Sequence, residues 1–125
     1  MISAAQRSLR DWLADIVEWG GAVQHYVAGT DADALRRDKM RLHALAKCVE
    51  SIGEASSQLL KLAPELQRRF PELELREAAS TRNRLIHGYF DINPDLLWLA
   101  ASTSVPSLVR APTSALAILD QEKLP

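Results

Sequence analysis

The chain has 125 residues, room for one domain spanning 1–125 but not comfortably for two, and its 47% hydrophobic content fits a packed globule rather than a disordered chain. Fifteen Lys and Arg stand against sixteen Asp and Glu, a formal charge of −1. That balance excludes a protein that coats duplex DNA by bulk electrostatics, so any nucleic-acid contact must be local.

Cys48 is the single cysteine. No intrachain disulfide can form, and a reducing, cytoplasmic setting is expected. Charged residues from Arg7 to Glu18 break up the start of the chain, which therefore has no signal-peptide core. No stretch approaches the ~20 apolar residues that span a bilayer, so no membrane association is expected.

In chain order, Ser3 and Gln6 have the spacing of a capping box, in which side chain and backbone satisfy each other's free groups. From there Leu9, Trp12, Leu13, Ile16, Val17, Val23 and Val27 recur at helical spacing. Gly20-Gly21 weakens the middle of this helix, and Gly29 is placed to end it in a left-handed turn. Asp31 and Asp33 suit the start of a short helix through Arg37. The clearest helix follows, with Leu42, Leu45, Ala46, Val49, Ile52, Gly53, Ser56, Leu59 and Leu60 on one face.

Pro64 and Pro71 bracket a short connector. Leu75, Ala78, Ala79, Leu85 and Ile86 then mark a further helix that ends near Gly88. Asn93-Pro94-Asp95 reads as N-cap, first-turn proline and dipole-matched acid. In the last helix Pro106 is expected to bend the axis and Pro112 to interrupt it. No alternating strand pattern competes, so the expected fold is all-α, an up-and-down bundle of four to five helices.

Cofactor chemistry finds little support. The five glycines form no phosphate loop, and His25, His43 and Cys48 lack zinc-ligand spacing, so neither a cofactor nor a metal is expected. The helix from Leu75 is different. Its apolar stripe lands on Arg82, and an arginine there must be paired, snorkel outward or face a polar cleft. Tyr89, seven residues on, aligns within about 20° and ~10 Å along an ideal helix axis. His87 lies about 140° round from Arg82 and ~7.5 Å along. Arginine, histidine and tyrosine can thus rim one cavity at a helix end. The bland alternative is a structural ion pair at Arg82, a capping histidine and a core tyrosine.

The run Arg82-x-x-x-x-His87-x-Tyr89 resembles the RxxxxHxY signature of HepT-type toxins of the HEPN helical superfamily. Ile52-Gly53-Glu54-Ala55 is similar to the family's IGEA run and Phe70-Pro71-Glu72 to its connector. Asp11 to Gly29 resembles its first helix, and Asp91 to Trp98 the turn and helix that follow its motif. The likeness covers nearly the whole chain. Gly20-Gly21 and the weakly charged tail after Arg110 depart from the pattern without touching the motif.

The resemblance implies a HEPN-like fold and a toxin of a toxin-antitoxin system, a metal-independent endoribonuclease that acts as a homodimer. It also implies an MNT-type nucleotidyltransferase antitoxin that silences the toxin by attaching AMP to Tyr89. The residues suit such chemistry. RNA carries its own 2′-hydroxyl nucleophile, histidine titrates near pH 7, and arginine's fork matches two phosphate oxygens.

Arg82 and His87 are the expected catalytic pair, with Asn83 and Glu54 supporting. Asn83 either orients the scissile phosphate or is solvated, and Glu54 either pairs with Arg82 or is solvated. Arg84 faces solvent or RNA backbone. Trp12, Trp19 and Trp98 read as core or interface anchors, and Cys48 as packing. A non-catalytic HEPN module that binds nucleotide or a nucleotidyltransferase partner is the alternative from another class, and an antitoxin-like regulator is the weakest.

Overall fold

The computed structural model describes residues 7–86 and 92–123, with backbone alone at 86, 104–109 and 123. Helix α1 runs Leu9–Val27. Ser8 caps it in extended backbone: the Asp11 amide donates to Ser8 Oγ at 3.2 Å, and the Ser8 amide donates to Asp11 Oδ2 at 2.9 Å. The capping box is therefore Ser8/Asp11, which corrects the expected start at Ser3. Ser3 and Gln6 lie outside the described residues, but a helix from Ser3 would have to run through Ser8. Two box-like spacings compete here, and the acidic one satisfies both donors with a charge-assisted bond. Arg7 turns back instead, its guanidinium 4.4 Å over the Trp12 ring and 2.6 Å from Asp15.

Gly29 takes φ +71°, the left-handed turn expected after α1. Helix α2, Ala32–Arg37, is capped by Asp31, which accepts from the Ala34 amide at 2.8 Å. Helix α3, Lys39–Leu62, is capped by Asp38 and buries Leu42, Leu45, Val49, Ile52, Ser56 and Leu59 along one face. The short α4, Leu66–Arg69, and a 3-10 turn at Pro71–Leu73 fill the connector between the two prolines. Helix α5 is Leu75–Ile86. Helix α6 is Pro94–Lys123, and Asn93 Oδ1 accepts from the Asp95 and Leu96 amides at its start.

Pro112 does not interrupt α6, contrary to expectation; the helix passes through it and through Pro106. A proline inside a helix costs a backbone hydrogen bond and a clash one turn back. Pro112 is fully buried between Ala111 and Ala115, which are buried too. Packing of that face onto the core offsets the local loss.

Four long helices, α1, α3, α5 and α6, make the expected all-α, HEPN-like bundle, and no strand occurs among the described residues. Helix α1 lies between α3 and α6, and α5 lies on α3. One core joins Leu13, Ile16 and Val23 of α1 to Leu45, Ile52 and Leu59 of α3 and Leu97 of α6. Each such side chain contributes about 1.5–3 kcal/mol when fully buried. Arg10–Asp120 (3.0 Å) and Arg69–Glu122 tie the far end of α6 to α1 and α4.

Candidate active site

Helix α5 is set in place at both of its described ends. At its start Leu75 is fully buried, and its amide donates 2.8 Å to Gln67 Oε1 of α4. Glu74, just before it, turns the chain with φ +49°. Further along, α5 crosses α3 at Gly53. A Cβ at Gly53 would lie 2.2 Å from Arg82 Cβ and 2.9 Å from the Ala78 carbonyl oxygen. No residue but glycine fits between the two backbones at this point.

That crossing puts Arg82 beside Glu54, the residue after the glycine. Arg82 Nη2 is 3.3 Å from Glu54 Oε2, with the side chains 28% and 41% exposed. Glu54 is held from its other side as well, because Gln58 Nε2 donates to Oε1 at 2.9 Å. Arg82 Nη1 donates to Asn83 Oδ1 at a long 3.5 Å. The Arg82 Nε donor is buried and has no acceptor among the described residues. At this exposure the ion pair contributes at most about 1 kcal/mol to stability. Its effect is geometric: a flexible side chain is fixed by a carboxylate on a rigid neighbour, and donors remain on the guanidinium for an anion.

Of the residues read from the sequence, Arg82, Glu54 and Asn83 are thus brought together at the α3–α5 seam. His87 and Tyr89 lie outside the described residues; in sequence His87 directly follows the last residue of α5. Arg84 is exposed on the opposite flank of α5, at the rim of a mostly apolar groove of about 220 Å³ floored by Val49, Ile52, Ala78, Leu96 and Ala100. Trp12 is buried, while Trp19 and Trp98 pack half-buried against the core. Cys48 is buried in α3, where burial pushes its thiol up from the ordinary value. No cluster of three or more metal-ligating side chains occurs among the described residues. Gln58 and Gly53 were not singled out as site residues from the sequence. The four-residue spacing of Glu54 and Gln58 is a helical-neighbour signal that could have found the first.

The chain matches the family model described as Ribonuclease HepT-like over residues 20–115. A protein of Thermococcus cleftensis named "Probable ribonuclease HepT" is 32% identical over 103 residues, 82% of this chain and 91% of that one. A protein of Methanocaldococcus jannaschii that carries an RNase name is 31% identical over 104 residues, 83% of this chain and 93% of its own length. A third, from Caldanaerobacter subterraneus subsp. tengcongensis and also bearing an RNase name, is 27% identical over 99 residues, covering 79% and 86%. No solved structure matches the chain.

An all-helical bundle that matches this family model belongs to the class of HEPN-like ribonucleases. Within that class, the chain belongs to the HepT-like ribonuclease family, and its substrate is RNA.

Proposed function

We propose that the chain is the toxin of a toxin-antitoxin system, a cytoplasmic, metal-independent endoribonuclease with Arg82 and His87 as its catalytic pair. The observation that carries this reading is the clasp at Arg82. Glu54 and the glycine-tight crossing hold the guanidinium in one place, on the helix that leads directly into His87. In the reaction the RNA 2′-oxygen bonds to the adjacent phosphorus and the bond from phosphorus to the 5′-oxygen breaks. The 2′-hydroxyl proton leaves to a base, and the departing 5′-oxygen takes a proton from an acid. Arg82 offsets the charge that grows on the phosphoryl oxygens, with Asn83 against its free edge.

One histidine cannot act as acid and base in the same step. A homodimer with two Arg82/His87 sets in one cleft supplies both. The regulation belongs to the same reading: an MNT-type nucleotidyltransferase antitoxin attaches AMP to Tyr89. The added phosphate brings negative charge to Arg82, and its bulk excludes RNA from His87.

Purified protein is expected to cleave RNA in the presence of EDTA. His87→Ala should lose activity by about 10²–10⁴-fold while keeping the wild-type helical circular dichroism. Tyr89→Phe should stay active yet escape silencing by the nucleotidyltransferase and ATP, with no AMP-sized mass increment. A requirement for added Mg²⁺, or full activity in His87→Ala, refutes the catalytic assignment. Continued modification of Tyr89→Phe refutes the switch.

A further inference from the structure

A chain with a net charge of −1 must concentrate its positive charge where RNA lies. Several of the cations with described side chains are already neutralised. Arg7, Arg10, Arg36, Arg41 and Arg69 each face a carboxylate. The outer line of α3 behaves differently. Lys47 and Lys61 lie seven residues to either side of Glu54, each about 10.5 Å along the axis and within about 20° of it. Both are exposed, and neither has a hydrogen-bond or ion-pair partner among the described residues. Glu54, midway between them, has its two oxygens occupied by Arg82 and Gln58.

We propose that Lys47 and Lys61 are phosphate contacts that carry a single RNA strand along α3, one on each side of the phosphate held by Arg82. The inference rests on the ribonuclease reading above and extends its binding surface beyond the motif helix. The other charged groups on this face are known. Glu50 is half-buried between Lys47 and Glu54, and His43 is exposed one turn before Lys47. On the facing side of the seam α5 offers Arg82 and Asn83, with Arg76 exposed one heptad before Asn83. Of the side chains just named, Lys47, Lys61, Arg76 and Arg82 are cationic against Glu50 and Glu54, and Glu54 is already bound to an arginine. A lysine's long stem lets its ammonium meet a phosphate some distance from the helix axis without a fixed geometry. This suits strand guidance better than chemistry. Arg84 does not belong to this track, because it lies at the groove on the other flank of α5.

The test uses the full chain carrying His87→Ala, so that RNA is bound and not cut, and a fluorescent single-stranded oligonucleotide titrated over a range of salt. Each phosphate contact contributes about 0.7 to the slope of log affinity against log salt for a single strand. Lys47→Gln and Lys61→Gln should each lower the slope by about 0.7, the double variant by about 1.4, with the loss of affinity alike for unrelated sequences. Lys→Arg at both positions should restore the slope. Arg110→Gln, an exposed cation on α6, should leave it unchanged. In the cleaving protein the same Lys→Gln changes should raise KM more than they lower kcat. An unchanged slope in the double variant, with wild-type protein that still binds and cleaves RNA, overturns the track alone. A wild-type chain that neither binds nor cleaves RNA overturns the ribonuclease reading and the track with it.

Discussion

Replacing Gly53 by alanine tests whether the tight crossing sets Arg82, the arginine of the proposed catalytic pair. The added carbon would begin 2.2 Å from Arg82 Cβ. Carbon atoms rest at about 3.5–4.0 Å, so roughly 1.3 Å or more of separation must be found. It cannot come from a side-chain rotation, since the obstructing atoms are a Cβ and the Ala78 carbonyl oxygen. Helix α5 itself must withdraw, and the 3.3 Å contact between Arg82 and Glu54 leaves hydrogen-bond range. Overpacking of this kind costs about 1–3 kcal/mol, against a helix-propensity gain of about 1 kcal/mol for Gly→Ala. With two backbone-rooted clashes the upper end applies. A net loss of about 2 kcal/mol should lower Tm by roughly 6–10 °C. RNA cleavage should fall by about 10²-fold, the cost typical of a 1 Å misplacement. Gly21→Ala is the control, because nothing lies within 4 Å of its Cβ position in α1; it should raise Tm by a few degrees. Calorimetry and a cleavage assay on both variants decide the matter. A Gly53→Ala protein as stable and as active as Gly21→Ala refutes the reasoning.

Glu54→Gln keeps the side chain's size but removes the charge that holds Arg82. It should lower kcat by roughly tenfold while lowering stability by about 1 kcal/mol or less, with Glu54→Asp recovering part of the rate; unchanged kcat would show that the clasp does not position the arginine. Asp11 provides a pH test. The Ser8 backbone amide, and then its hydroxyl, hold the Asp11 carboxyl below its ordinary value. A depressed folded-state value means the stabilisation is complete above the unfolded carboxylate value of about 3.9 and is lost as pH falls through the folded one. The gap between the urea midpoints of wild type and Asp11→Asn should therefore be full at pH 7 and shrink as pH falls below the unfolded carboxylate value of about 3.9; a gap independent of pH would rule out the charged cap.

What the sequence made legible was local. Asp31 and Asn93 cap helices because the interaction closes within three residues, and the stripe from Leu42 to Leu60 needs only periodicity. Ser3 against Ser8 shows the limit of such reading: both have an acceptor three residues on, and only the favoured folded geometry chooses between them. Pro112 shows another, since its tolerance depends on burial contributed by distant residues. Gly53 was visible as part of a family-like run, yet within a helical stripe a glycine reads as a gap. Its purpose lies in the approach of a second backbone, a fact that no window along the chain contains. Glu54 and Arg82 are 28 positions apart; their pairing was one of two readings of Glu54, and the α3–α5 crossing decides for it. His87 and Tyr89 remain legible in sequence alone.

The glycine at the crossing also has a meaning for inheritance. Every other amino acid carries a Cβ, so every missense change in the Gly53 codon introduces the same obstruction beneath Arg82. A cell that loses control of an RNA-cutting protein is under selection to disable it. This codon gives single-base routes to that end without touching the catalytic residues themselves. Disabled alleles recovered from such a selection would cluster there, and their products would remain folded enough to persist. The position that lets α5 approach α3 is, for a lineage escaping the proposed toxin, an accessible place to switch it off.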